Sequence, residues 1–209
     1  MSYRAMTCIA LIAAAVLATN ASCSRGPRRI LPPSINASAA GAKAIEMFDK
    51  NKDGKLSGEE LDKCPGLKSA LSTVDPSNQG VTAEAITARI RAWQDSKLGR
   101  TSLSCVVMHN GQPLGGAEIK LVPEKFLGDD MPVVSGKTGK SGMAMLSVPV
   151  SGKPDDPPGV PPGFYRIEIT KPGMTIPAKY NTETTLGQEV AQDAKEIAQQ
   201  RGIRVELKF

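Results

Sequence analysis

The sequence predicts an α+β protein of two domains, a small helical module followed by an antiparallel β-sandwich. Three observations carry that prediction. About 187 residues run from Cys23 to the end, room for one or two small domains. Before Gly99 the apolar residues recur with a helical period: Ala44, Ile45 and Phe48 form one stripe, and Ile86, Ile90 and Trp93 form another behind a Thr82 cap. After Gly99 the period is two, in short segments separated by Gly, Pro, Asn and Asp clusters.

The chain begins with Arg4, an apolar and small-residue run from Ala5 to Ala18 that is too short to span a bilayer, and then Ala21 and Ser22. Residues 1–22 therefore read as a signal peptide. Asn20-Ala21-Ser22-Cys23 resembles a bacterial lipobox, in which the cysteine becomes an acylated amino terminus, although an aliphatic residue is usual where Asn20 stands. Removal of Cys8 with the leader leaves Cys23, Cys64 and Cys105, an odd number for an exported chain. Lipidation of Cys23 resolves the count and leaves Cys64 and Cys105 as a disulfide candidate. Ordinary cleavage after Ala21 is the alternative, and it leaves one spare thiol. Residues 23–39, rich in Ser, Pro, Arg and Ala, read as the lipidated cysteine and a flexible tether.

The formal charge of +5 belongs mostly to this beginning, through Arg4, Arg25, Arg28 and Arg29. Residues 40–97 are neutral and the remainder carries only +1. No domain has a basic face to contact phosphates, so nucleic acid is not an expected partner. The tether arginines suit anionic headgroups beside a lipid anchor, or simply keep a linker soluble.

Residues 40–98 form the expected helical module, and its centre is Asp49 to Glu60, DKNKDGKLSGEE. Calcium takes about six to eight oxygen ligands, and an EF-hand loop offers them from positions 1, 3, 5, 7, 9 and 12 with glycine at 6. Asp49, Asn51 and Asp53 supply side-chain oxygens, Lys55 its backbone carbonyl, Ser57 a water-mediated contact and Glu60 a bidentate carboxylate. Gly54 stands at the turn and Leu56 points to the core. Ser57 and Glu60 also spell a capping box, and an Asx-rich turn before a capped helix occurs without metal. Capping alone does not require Asp49, Asn51, Asp53 and Gly54 at alternating positions. Ca2+ is the expected cofactor, at the weak end of EF-hand affinities, roughly 10⁻⁴ to 10⁻³ M for exported modules.

Asp75 to Ile86, DPSNQGVTAEAI, looks like a degenerate second loop (75–86). Gly80 stands at position 6, but Val81 comes one place early and no glutamate closes the loop, so the expected role is structural, with Val81 beside Leu56. Cys64-Pro65-Gly66 interrupts the short connection between the loops. The helix leaving the first loop must therefore be short, with Pro65 opening the next.

In residues 99–209 the expected strands are Ser102 to His109, Ala117 to Val122, Met143 to Val150, Phe164 to Thr170 and Ile203 to Phe209. Asn110-Gly111 suits a tight hairpin turn, Thr138 to Gly142 a turn into a strand, and Pro162-Gly163 the start of another. Thr184 to Arg201 is ambiguous between strand and helix: Val190, Ala194 and Ile197 fit a helical stripe, and a strand followed by a short helix or loop is favoured. The segments Asn110 to Glu124, Gly136 to Leu146 and Pro161 to Ile169 resemble the carboxypeptidase regulatory-like, or transthyretin-like, Ig-like sandwich of exported bacterial proteins. Gly139 replaces the acidic residue common there. The whole chain is similar to planctomycete-type envelope lipoproteins with an EF-hand and such a β domain, a resemblance that implies architecture and a periplasmic or outer-membrane-anchored location.

Catalytic groups are sparse. His109 is the only histidine, which excludes a multi-histidine metal site and leaves no context for a Ser-His pair. Transthyretin-like hydroxyisourate hydrolases use several histidines and a Tyr-Arg-Gly-Ser tail, whereas this chain ends Glu206-Leu207-Lys208-Phe209. Cys64 and Cys105 lack the C-x-x-C spacing of a redox pair. The expectation is a non-enzymatic, calcium-binding, lipid-anchored cell-envelope protein whose sandwich is structural or meets an envelope protein or glycan partner. The alternative is an accessory subunit of, or itself, an envelope peptidase or glycan hydrolase.

Overall fold

A computed structural model of the chain describes residues 30–149, 158–194, 197 and 202–209. The leader, Cys23 and the tether up to Arg29 lie outside these residues. The described chain combines helices with two four-stranded sheets, the α+β mixture that the two periods predict. Among the described residues no helix is long and apolar enough to cross a membrane.

The first helix, α1, runs Ala37–Phe48, starting inside the stretch expected as tether. Asn36 caps it by accepting from the Ala39 N–H at 3.1 Å, and Ala37, Ala40 and Ala44 are buried. Small alanines resemble linker composition in sequence, yet here they let α1 lie against a later helix. Strand β1 (Lys55–Leu56) leads into three one-turn helices, α2 (Gly58–Leu61), α3 (Pro65–Lys68) and α4 (Leu71–Val74). Pro65 opens α3 as expected, its missing N–H costing nothing at a first helical turn. Strand β2 (Val81–Thr82) pairs antiparallel with β1, Leu56 opposite Val81 and Lys55 opposite Thr82. Helix α5 (Ala83–Asp95) follows, with the Thr82 hydroxyl accepting from the Ala85 N–H at 3.3 Å and Ile86, Ile90 and Trp93 buried. The Thr87 hydroxyl on α5 donates to the Ala37 carbonyl at 3.2 Å, tying the two long helices together.

One sheet is built on β3 (Leu103–His109). It pairs with β10 (Ile203–Leu207) on one side, and with β4 (Gln112–Pro113) and β7 (Met143–Leu146) on the other. The second sheet has the order β6 (Val134–Lys137), β5 (Glu118–Pro123), β8 (Gly163–Thr170), β9 (Gly187–Val190). An isolated bridge between Ser135 and Ser147 joins their margins. The expectation of purely antiparallel pairing is corrected at one place: β10 runs parallel to β3, Ile203 opposite Cys105 and Leu207 opposite His109. A parallel neighbour needs a long connection, and the connection here is most of the β region, so no local turn announces it.

Strand alternation sorts the side chains. Leu103, Cys105 and Val107 of β3, Ile203, Val205 and Leu207 of β10, and Ile119 and Leu121 of β5 are all buried. On β8, Tyr165, Ile167 and Ile169 lie on one face and Phe164, Arg166 and Glu168 on the other. Phe164 meets the helices: its ring lies 4.6 Å from Trp93 of α5 and 6.0 Å from Phe126, in the 3₁₀ turn Lys125–Leu127, and Phe126 in turn contacts Phe48 of α1 at 6.4 Å. One apolar core therefore runs without interruption from α1 and α5 through both sheets.

The segment left ambiguous resolves in part. Gly187–Val190 is the strand β9 and Ile197 is helical, while residues 195–196 and 198–201 lie outside the described chain.

Cys64 and Cys105 are both free and fully buried, which corrects the disulfide expected between them. Cys64 stands at the start of α3, which packs against β8 and β9, whereas Cys105 stands on β3 of the other sheet, opposite Ile203 and Ala144. Burial pushes both thiols upward, Cys105 to about 12, which suppresses the thiolate needed for exchange.

Candidate metal centre

The loop Asp49 to Glu60 is held by its own oxygens. One Asp49 carboxylate oxygen accepts from the Lys52 N–H at 2.6 Å and the other from the Gly54 N–H at 2.9 Å. The Asn51 side-chain oxygen accepts from the Asp53 N–H at 3.0 Å, and Asp53 accepts from the Lys55 N–H at 2.9 Å. These bonds wind the chain into a tight turn in which Gly54 takes φ +79°, a region that costs an L side chain about 1–2 kcal/mol. The six sequence-predicted positions, Asp49, Asn51, Asp53, Lys55, Ser57 and Glu60, all stand on this one turn and the start of α2.

Glu60 closes the loop. Its Oε1 accepts from the Lys50 N–H at 2.9 Å and the Asn51 N–H at 3.4 Å, while Oε2 accepts from the Ser57 N–H at 3.1 Å. The Ser57 and Lys50 amides hold its carboxyl below the usual range. Its last residue is thus folded back over its first turn, and a single carboxylate ties both ends. Among the described residues no three His, Cys, Asp or Glu side chains are already gathered for a metal. The donors are nevertheless all oxygen and lie on a turn with glycine at its tightest point, which fits a hard cation and not a soft one.

The degenerate loop repeats the design with fewer donors. Asp75 accepts from the Gln79 N–H at 3.0 Å and the Gly80 N–H at 2.8 Å, matching the role of Asp49 toward Gly54. Lys55 Nζ reaches the Gln79 carbonyl at 3.3 Å, so the two turns brace each other beside the β1–β2 pair.

No family model matches the chain, and neither the curated proteins nor the solved structures contain a match.

A polar seam between helices and sheet escaped the sequence reading. Arg89 of α5 donates through Nε to Glu189 of β9 at 2.5 Å and through both terminal nitrogens to Asp193 at 2.7 and 2.8 Å. Trp93 Nε1 donates to the same Glu189 oxygen at 3.0 Å. Burial holds Glu189 above the usual carboxylate range against the pull of Arg89 and Trp93. Nearby, Glu124 accepts from the Gly66 N–H of α3 at 2.8 Å, with Arg166 Nε at 4.0 Å from its other oxygen and without a hydrogen-bond partner. No signal in the sequence joins residues that lie 58 to 104 positions apart.

His109 stacks on Phe209 at 4.5 Å beside Asn110, in the hairpin turn expected for it. A separate recess of about 710 Å³ opens between residues 30–43 and the loop 126–132; its lining is mainly apolar, and Lys43, Arg100 and Asp130 are its charged members.

Proposed function

We propose that this chain is a non-enzymatic, calcium-binding protein of the bacterial cell envelope, exported by residues 1–22 and anchored through an acylated Cys23. An EF-hand module carries a single calcium loop, and the β-sandwich beyond it is structural or meets an envelope protein or glycan. The observation that carries this reading is the loop itself: Asp49, Asn51, Asp53 and Glu60 bring oxygen donors at EF-hand spacing around Gly54. Lys55 adds its carbonyl and Ser57 a water-mediated contact. The β1–β2 pair supports the reading because it fixes Leu56, and with it the middle of the loop, against the partner turn. Asp75 has no glutamate at the end of its turn, so one site operates alone. Its weak affinity matches a compartment where calcium is plentiful.

The test is a thermal melt of the full chain. With an affinity of the expected order, about 5 mM calcium stabilises the folded state by roughly 1–2 kcal/mol, a rise in melting temperature of about 3–6 °C. Glu60→Gln removes the rise. A parent protein whose melting curve is unchanged by calcium would sink the reading.

A further inference from the structure

We infer that the calcium affinity of the loop is set partly from outside it, by the seating of α3 on β8 and β9; this rests on the calcium reading above. Glu60 sits in α2, and only Asp62, Lys63 and Cys64 separate α2 from α3. That connection is closed by its own hydrogen bonds. The Lys63 N–H and the Cys64 thiol both donate to the Glu60 carbonyl, at 3.2 and 3.7 Å, and the Cys64 N–H donates to Leu61 at 3.1 Å. Cys64 itself is fully buried, so the connection cannot swing outward without opening the core.

Beyond Cys64 the chain is fastened by a backbone amide and a side-chain hydroxyl. The Gly66 N–H donates to the buried Glu124 at 2.8 Å, and the Ser69 hydroxyl accepts from the Glu189 N–H of β9 at 2.7 Å. The same Ser69 hydroxyl donates to the Gly66 carbonyl at 2.7 Å, closing the turn on itself. The fit leaves no room for side chains. A Cβ on Gly187 would overlap the Pro65 carbonyl, and one on Gly66 would stand 2.6 Å from the Tyr165 nitrogen. Gly187 lies outside the positive-φ region, so close approach alone excludes a side chain there.

An ion drawing Glu60 toward Asp49 and Asp53 therefore pulls on a short lever whose far end is bolted to β8 and β9. With α3 seated, the ligand at position 12 is presented at one distance from the first turn. With α3 unseated, only the Lys50, Asn51 and Ser57 amides hold that position, more freedom is lost on binding, and affinity falls. Glu124, Gly66 and Gly187 are positioning residues for a metal they do not touch.

Titration calorimetry of the full chain with calcium chloride tests this. Gly187→Ala and Glu124→Ala are expected to bind calcium about tenfold more weakly than the parent while keeping the parent's circular dichroism. Val205→Ala, in β10 of the other sheet, lowers stability and leaves affinity unchanged. By reciprocity, calcium slows hydrogen exchange in the peptide spanning Cys64 to Ser69 of the parent. If Gly187→Ala does not fold, Glu124→Ala and the exchange measurement decide. Parent-like affinity in the seam variants, or an equal loss in Val205→Ala, overturns the inference alone. A parent that binds no calcium overturns the calcium reading and this inference with it.

Discussion

Glu124 is 1 % exposed, and its carboxyl faces the Gly66 amide, the Arg166 guanidinium and the Cys64 thiol. Burial outweighs the Gly66 and Arg166 contributions and pushes the carboxyl from 4.5 up to about 7. Between those values the folded protein retains a proton that the unfolded chain has released. The contribution of this group to stability is therefore full below about 4.5 and is lost as pH rises through about 7. Chemical denaturation between about pH 5 and pH 8 should show stability falling by on the order of 2 kcal/mol from this source, with Glu124→Gln flattening that part of the profile. A Glu124→Gln profile as steep as the parent's would contradict the assignment. Glu60, Asp75 and Asp193 act in the opposite sense. Their carboxyls are held below the usual range by backbone and Arg89 partners, so their contributions disappear on acidification.

At the scale of elements, α5 is joined to β9 by Arg89. The guanidinium and Glu189 are 6 % and 2 % exposed, whereas Asp193 is 66 % exposed, so the first pair dominates the consequence of breaking the clasp. Arg89→Ala leaves the Glu189 carboxylate buried with only the Trp93 N–H, and should cost about 3–5 kcal/mol in urea denaturation. Replacing both partners, as Arg89→Met with Glu189→Leu, should recover most of that loss, because a buried pair roughly breaks even against apolar residues of similar size. A cost below about 1 kcal/mol for Arg89→Ala alone would mean that the seam does not hold α5 in place. The helical elements differ from this clasp in being locally specified. Thr82 caps α5, Pro65 opens α3, and Asn110 and Gly111 take φ of 49° and 78° in the two-residue turn between β3 and β4.

For the whole molecule, the continuous core predicts one cooperative unfolding event. Trp93, the only tryptophan, sits between α5 and Phe164 of β8 and reports on the seam directly. Its fluorescence and the far-UV circular dichroism should melt at the same temperature; separated transitions would show that the helical and β parts fold independently. Much of the candidate site is legible in the sequence, because its donors are carried by twelve consecutive residues, and its brace follows from Leu56, two residues after Gly54, and Val81, directly after Gly80. The two hydrophobic periods likewise located α5, β3, β5, β8 and β10, since each depends on spacing within a single segment. Other features depend on which segments meet. β10 runs parallel to a strand about a hundred residues earlier, Ala37 is core although it reads as tether, and Cys64 and Cys105 stand as free thiols at the start of α3 and on β3 where the sequence suggests a bridge. The seating of α3 on Gly187 and Glu124 belongs to the same class. What the sequence determined by itself was local: the loop chemistry, the caps, the turns and the strand periods, all settled by neighbours a few residues apart. Only the tertiary structure decided strand order, thiol state and the link from the loop to the sheet, because backbone contact between distant segments leaves no periodic trace in either of them.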